Sequence, residues 1–296
     1  MANIHTPIPN LKLSDGNSIP MLGYGTGTAW YKSGDEGKID QACIDSVKMS
    51  LGLGYYHQDG AEVYKTETEL GAGLKQASIA REKLFVTTKV ISNISDIPNA
   101  LRTSLKKLGL SYVDLYLIHS PFFSEDKAEH QQKWKQMEQL KDEGLTKSIG
   151  LSNYLPAQMD WILEGAKYPP VINQIEFHPY LQHEGILEYH KKHNVATEAY
   201  ASLTPVTKAS GGPIDDILAA LSKKYAVGPS EILLRWCIDQ DVVPITTSGK
   251  EQRLSDYLRA MTFKLTPKEI QQINEAGKQK HFRGFWTHKY DEKDHR

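Results

Sequence analysis

The stretch LFVTTKVISNISDIPNALRTSLKKLGLSYVDLYLIH, residues 84–119, decides the fold class. Two nearly continuous apolar runs, LFVTTKV (84–90) and VDLYLIH (113–119), bracket a segment of helical period. A run without polar alternation is what a strand shows when both faces are covered, and a helix is the crossover that parallel neighbours need. Outward from this unit the pattern repeats. MLGYG, GYYHQD, KSIGLS, VINQIEF, VATEAYA and VVPITTS are further β-rich runs, alternating with helix-period stretches such as KIDQACIDSVKMSLGLG and DDILAALSKKY. Eight such runs are what a (β/α)8 barrel requires. The expected fold class is α/β, a (β/α)8 TIM barrel. An open doubly wound sheet is the alternative, but the glycines of GYGTGTAW (23–30) do not spell the dinucleotide fingerprint.

Ahead of the first run, NLKLSDGNSIPML (10–22) reads as an N-terminal β-hairpin about an Asp-Gly-Asn turn, placed to plug the N-terminal mouth of the barrel. TPVTKASGGP (204–213) and the tail from Lys280 read as long loops, the latter a long C-terminal loop. No linker or composition break divides the chain, so one domain over 1–296 is expected. A net charge of −1 gives no electrostatic footprint for nucleic acid or an anionic membrane. No run approaches the roughly 18 apolar residues of a spanning helix. The N-terminus lacks the basic and apolar regions of a signal peptide, and Cys43 and Cys237 sit in helical patterns where a thiol acts as a small apolar group. The reading is a cytoplasmic monomer or weak dimer acting on a small molecule, with no metal, nucleic-acid or membrane partner.

In such a barrel the C-terminal strand ends converge on the face where chemistry is done. Asp59 ends the second run, Tyr64 opens the loop after it, Lys89 lies at the end of the third run and His119 ends the fourth. Each alone has a plainer reading: a cap, a packing ring, a surface charge, a core histidine. Together they change the odds. Lys89 paired with Asp59 puts an ammonium beside the phenol, expected to lower its pKa from the ordinary value of about 10. Tyr64 is then a general acid, and a neutral His119 donates to the same carbonyl oxygen.

These residues resemble the aldo-keto reductase superfamily over essentially the whole chain. The resemblance rests on GYYHQDGAEVY for the strand-end Asp and Tyr, TTK for the Lys and YLIHSP for the His. GLSNY and INQIEFHP match the nicotinamide contacts, and VPITTSGKEQRL the adenosine-phosphate loop. It implies reduction of aldehydes and ketones with NADPH, with Asp59, Tyr64, Lys89 and His119 catalytic. Ser152, Asn153 and Gln174 would hold the carboxamide and Tyr200 would stack on the nicotinamide, with Gly27, Thr28, Asp59, Ser202 and Leu203 as further cofactor contacts. Ser248, Lys250 and Arg253 would take the 2′-phosphate, favouring NADPH over NADH. Trp30, Tyr31, Ser120, Phe122, Phe285 and Trp286 are the expected substrate contacts.

Three departures from the family pattern lean toward its fungal reductases of dicarbonyl compounds, the conjugated polyketone and alpha-keto amide enzymes. Gly60 follows Asp59, an expected loosening of the turn; Ser120 replaces an aromatic; the phosphate loop reads TTSGK. Activated or vicinal dicarbonyls are the expected substrates. Read from the residues alone, Ser152 and Asn153 equally suit an N-cap before LPAQMDWILEGA. Lys89 also suits a Schiff-base aldolase, and a cofactor-binding regulatory subunit would retain the same site. HEGILEYHKKH is not an HExxH zinc site, and His190 and His193 are expected on a solvated helix face.

Overall fold

The computed structural model describes residues 7–292 and 294–296. Asn10–Lys12 (β1) and Ser18–Pro20 (β2) pair antiparallel, with Leu11 opposite Ile19. Eight further strands follow in chain order: Gly23–Gly25 (β3), His57–Asp59 (β4), Phe85–Val90 (β5), Val113–Ile118 (β6), Thr146–Ser152 (β7), Ile172–Glu176 (β8), Ala196–Tyr200 (β9) and Val242–Thr246 (β10). Each is parallel to its neighbours, and β10 closes the ring by pairing with both β9 and β3. The fold is a (β/α)8 TIM barrel with an N-terminal hairpin.

Alternate residues of a strand share a face, so one inward residue fixes the rest. Phe85, Leu115, Leu117, Ile172 and Val243 meet inside the barrel and pack with Leu13 and Ile19 of the hairpin. The hairpin therefore closes the N-terminal mouth with apolar side chains; burying Ile19 completely is worth about 1.5–3 kcal/mol. Two residues further along the same faces the lining turns polar. Thr87 and Lys89 follow Phe85, His119 follows Leu117, and Gln174 follows Ile172. His57 fits because Gly23 beside it has no side chain; a Cβ there would lie 2.8 Å from His57 Nδ1. Outward faces carry Tyr24, Val86, Tyr116 and Ile149, packed under helices that contribute Val47, Leu101 and Trp134.

Several local expectations change. GYYHQD supplies only three strand residues: the Tyr55 amide donates to Ser50 O at 3.0 Å, closing the preceding helix, and its hydroxyl donates to Leu254 O at 2.7 Å. Residues 204–213 open with a helical turn, Thr204–Thr207. His190 is buried: the helix Ile186–Lys192 presses it onto the sheet, where Nδ1 meets Thr197 Oγ1 at 2.8 Å and Nε2 meets Asn173 Nδ2 at 3.1 Å. Cys43 and Cys237 are both buried in helices. Among the described residues no helix is long and apolar enough to cross a membrane.

Candidate active site

The C-terminal ends of β4, β5 and β6 bring the four ionisable residues together. Asp59 and Lys89 are inward on adjacent strands, with Asp59 in register with Thr87, so Lys89 stands one rung higher. Its ammonium, shut from solvent, donates to Asp59 Oδ1 at 2.7 Å, Gly60 O at 2.8 Å and Tyr64 OH at 3.4 Å. Tyr64 closes a 3-10 turn, Glu62–Tyr64, that Lys65 ends in a left-handed conformation. The Tyr64 hydroxyl also lies 3.4 Å from His119 Nε2, the rings meeting edge to face. Gly60 does not loosen the turn. Its amide donates to Thr87 O at 2.9 Å, and a Cβ would meet Leu70 at 3.0 Å, so glycine lets the turn sit close to the helix beneath.

The charges set the protonation states. Burial alone would depress Lys89, but Asp59 and Tyr64 outweigh it and hold the ammonium above the usual lysine value. His119 is pushed well down by burial and then by Lys89, so it is neutral. Tyr64 departs from the sequence expectation: burial raises its pKa by more than Lys89 lowers it, and the net shift is upward. The phenol therefore keeps its proton at neutral pH.

A web of amides surrounds this centre. Gln174 Nε2 donates to Asp59 Oδ2 at 3.0 Å, and Ser152 Oγ donates to Gln174 O at 2.8 Å. Asn153, at φ +62°, donates to His119 O at 2.9 Å and accepts from Tyr200 OH at 2.7 Å. The N-cap reading of this Ser-Asn pair does not hold: the next helix, Pro156–Leu163, is capped at Leu155, with the Gln158 side chain accepting from its amide at 3.1 Å.

From Tyr64 a cleft of about 270 Å³ runs along the ends of β9 and β10, lined by Gly27, Thr28, Asp59, Gln174, Tyr200, Ser202, Leu203, Arg253 and Phe285 among others. It unites most of the expected cofactor residues. Ser152, Asn153, Ser248 and Lys250 lie outside its lining: the first two are buried in the amide web, Ser248 is buried and accepts from the Lys250 amide at 3.1 Å, and the Lys250 side chain is exposed. Lys208, Thr246, Thr247 and Tyr257 line it as well and were not expected from the sequence. A larger hollow of about 650 Å³ lies at the opposite end, by the hairpin, and holds none of the four clustered residues.

The expected substrate residues divide. Tyr31 is exposed and meets Tyr64 edge to face at 6.3 Å, and Ser120 is buried beside His119. Phe122 packs on Trp286 at 4.9 Å, so the tail reaches the loop after β6. Trp30 turns away, since Nε1 donates to Tyr24 OH at 2.8 Å and the ring covers Gly249 of the β10 loop. Phe285 lines the cleft instead, against Tyr200 at 5.2 Å and under Lys208. The tail is held by Glu176, at the end of β8, which accepts from the Gly284 amide at 2.8 Å and the Phe285 amide at 3.0 Å. Glu176 and Glu198 were missed in the sequence, though an acid breaking an apolar strand run was the available signal.

A model of the Aldo/keto reductase family matches residues 22–278. The chain belongs to this family. It is 40% identical over 276 residues to the NAD/NADP-dependent indole-3-acetaldehyde reductase of Schizosaccharomyces pombe, covering 92% of this chain and 97% of that one. It is 38% identical to the NADPH-dependent alpha-keto amide reductase of Saccharomyces cerevisiae, covering 94% of each. Among solved structures, the Bombyx mori aldo-keto reductase in complex with NADP superposes with a TM-score of 0.82 at 34% identity, over 91% of this chain and 93% of that one. This aldo/keto reductase thus shares fold and length with its relatives.

Proposed function

We propose that this aldo/keto reductase reduces aldehydes and ketones to alcohols with NADPH, with Tyr64 as general acid and activated or vicinal dicarbonyls as preferred substrates. The observation that carries the reading is the Tyr64 hydroxyl standing 3.4 Å from both a buried ammonium and a neutral imidazole. Its raised pKa keeps the proton on until a substrate oxygen gains negative charge, and the Lys89 ammonium then stabilises the phenolate left behind. Asp59 holds that ammonium in place. Only Nε2 of His119 faces the phenol, so the tautomer protonated there is the one able to donate to a substrate oxygen.

The cleft's donor set suits a dinucleotide phosphate: aromatic and aliphatic walls from Tyr200, Leu203 and Tyr257, hydroxyls from Ser202 and Thr246, and cations from Lys208 and Arg253. When bound, reduced nicotinamide supplies the hydride. Gln174, Asn153 and Ser152 would hold its carboxamide, Tyr200 its ring, and Arg253 with Lys250 the 2′-phosphate. The NADPH-dependent alpha-keto amide reductase among the relatives supports the dicarbonyl preference. A Schiff-base role for Lys89 is disfavoured, because that chemistry needs a neutral amine and this one is held charged by its partners. A regulatory subunit with vestigial activity would show binding without turnover.

Tyr64→Phe tests the reading. With vicinal diketones and NADPH absorbance as the readout, kcat falls about 100-fold or more while cofactor affinity stays near that of the wild type. Wild-type turnover in this variant would make Tyr64 a packing residue.

A further inference from the structure

Beneath the four clustered residues lies a second buried pair that the proposed reaction leaves unused. Glu198, inward on β9, and His57, inward on β4, are both fully shut from solvent. Glu198 Oε1 stands 3.3 Å from His57 Nε2, yet neither atom has a hydrogen-bond partner among the described residues. The other imidazole nitrogen, Nδ1, lies 3.3 Å from Pro20 O, which can only accept. Burial pushes His57 down to about 4, so the ring is neutral and its one proton sits on Nδ1. Nε2 is then an acceptor facing a carboxylate oxygen, and two buried polar atoms go unsatisfied. One proton on Glu198 satisfies both.

The second oxygen of Glu198 gives the same answer independently. Gln174 Nε2 donates to Glu198 Oε2 at 2.6 Å and to Asp59 Oδ2 at 3.0 Å, so a single amide bridges two carboxyl groups. Among the described residues the ammonium nearby is that of Lys89, which binds Asp59 directly at 2.7 Å. Two carboxyls and one cation in a sealed volume settle with one carboxyl neutral, and the direct contact makes Asp59 the charged one. Burial and then the Asp59 charge push Glu198 up to about 8.

We propose that Glu198 is a neutral carboxylic acid in the resting protein, donating from Oε1 to His57 and accepting from Gln174 at Oε2, and that it is a positioning residue for Asp59, Lys89 and Tyr64. The positioning role rests on the reading of Tyr64 as general acid; the protonation state does not. The groups that face Glu198 are His57 and Asp59 from β4, Lys89 from β5 and Gln174 from β8, with Tyr64 beyond them; its register partner on β10 is the apolar Val243. Losing the proton strips His57 Nε2 of its donor and adds a negative charge beside Asp59, which opposes formation of the Tyr64 phenolate. An alkaline limb in kcat beginning near pH 8 follows.

Glu198→Gln tests this, because its amide N–H lies where the acid proton is assigned and its carbonyl still accepts from Gln174. Infrared spectra of the resting protein at pH 6 should show the carbonyl band of a protonated carboxylic acid that Glu198→Gln lacks, and the band should titrate away in the wild type as pH rises through about 8. In turnover, Glu198→Ala should lose about tenfold or more in kcat, and Glu198→Gln should recover most of that loss while flattening the alkaline limb. Identical wild-type and Glu198→Gln spectra at pH 6 overturn the neutral acid. A Glu198→Gln as impaired as Glu198→Ala, or a Glu198→Ala with undiminished kcat, overturns the positioning role. The infrared result needs no turnover, so an active Tyr64→Phe beside a band lost in Glu198→Gln would locate the failure in the reaction reading alone.

Discussion

Lys89→Met removes the ammonium while keeping most of the volume of its stem, and the structure says what that should cost. Lys89 is completely buried, and Asp59 beside it is 3% exposed. After the change the Asp59 carboxylate keeps, among the described residues, only the Gln174 amide on its other oxygen. Breaking a buried pair by deleting one partner costs about 3–5 kcal/mol, since the remaining charge has no water to replace what it lost. Unfolding entropy near 2.1 cal/mol/K for each of 296 residues sums to roughly 0.6 kcal/mol/K, so Tm should fall by about 5–8 °C at pH 8. The pH dependence has a definite sign. In the wild type Lys89 sits above the ordinary value of 10.5, so its contribution is complete below that value and is lost only as pH rises beyond it, outside a scan from about pH 5 to 8. In the variant, Asp59 without its cation keeps a proton that the unfolded chain gives up, and stability falls as pH rises. The Tm gap between the two proteins should therefore widen across the scan. Turnover should drop about 100-fold or more with the loss of the charge beside Tyr64. Differential scanning calorimetry across the pH series, with NADPH consumption measured alongside, reads both effects. A gap below about 2 °C at pH 8, or one that narrows with rising pH, would refute the reasoning.

Arg253→Ala should weaken NADPH by about 1–3 kcal/mol while leaving NADH nearly unaffected, and Lys250→Ala, whose side chain lies outside the cleft lining, should do less; fluorescence titration of both cofactors checks the order. Trp286→Ala should reorder kcat/KM among small and bulky ketones by about 1–3 kcal/mol with Tm near wild type, whereas a uniform loss with a lower Tm would make Trp286 an anchor for the tail. Burial depresses His57 and His183 to about 4 and His190 to about 3, from an ordinary 6.5. Their contribution is complete above pH 6.5 and is lost as pH falls toward those values, so Tm should decline on acidification and His190→Asn should shallow the slope.

The strands were legible because a barrel strand is covered on both faces and shows as an apolar run. The tight clustering of Asp59, Tyr64, Lys89 and His119 was legible because strand period fixes which residues point inward once the ends are known. Strand length was not, since the Tyr55 amide goes to Ser50 O at the end of the preceding helix and not to a neighbouring strand. The direction of the Tyr64 shift was also hidden: it depends on how far desolvation exceeds a cation 3.4 Å away, a three-dimensional quantity. Trp30 and Phe285 were recognisable as aromatic but not as to which wall they join, because loop geometry decides that. His190 looked solvated on its own helix, and only the packing of that helix on β8 and β9 buries it.

Glu176 grips the tail by its main chain, and that choice leaves the side chains beyond it free to change. Of the tail it takes the amides of residues 284 and 285, while its Oε1 also meets His178 Nε2 at 3.2 Å, so exchanging the ring at 285 leaves the anchor intact. Position 284 is less forgiving, because a Cβ would come within 3.1 Å of Glu176 Oε1, and proline at either position would remove a donor outright. Trp286, at φ +57°, would be most easily replaced by glycine or asparagine. A library that randomises 285 while keeping Gly284 and Glu176 would thus sample new reach over the cleft without unhooking the tail, giving an engineer a tunable rim on a fixed hinge point.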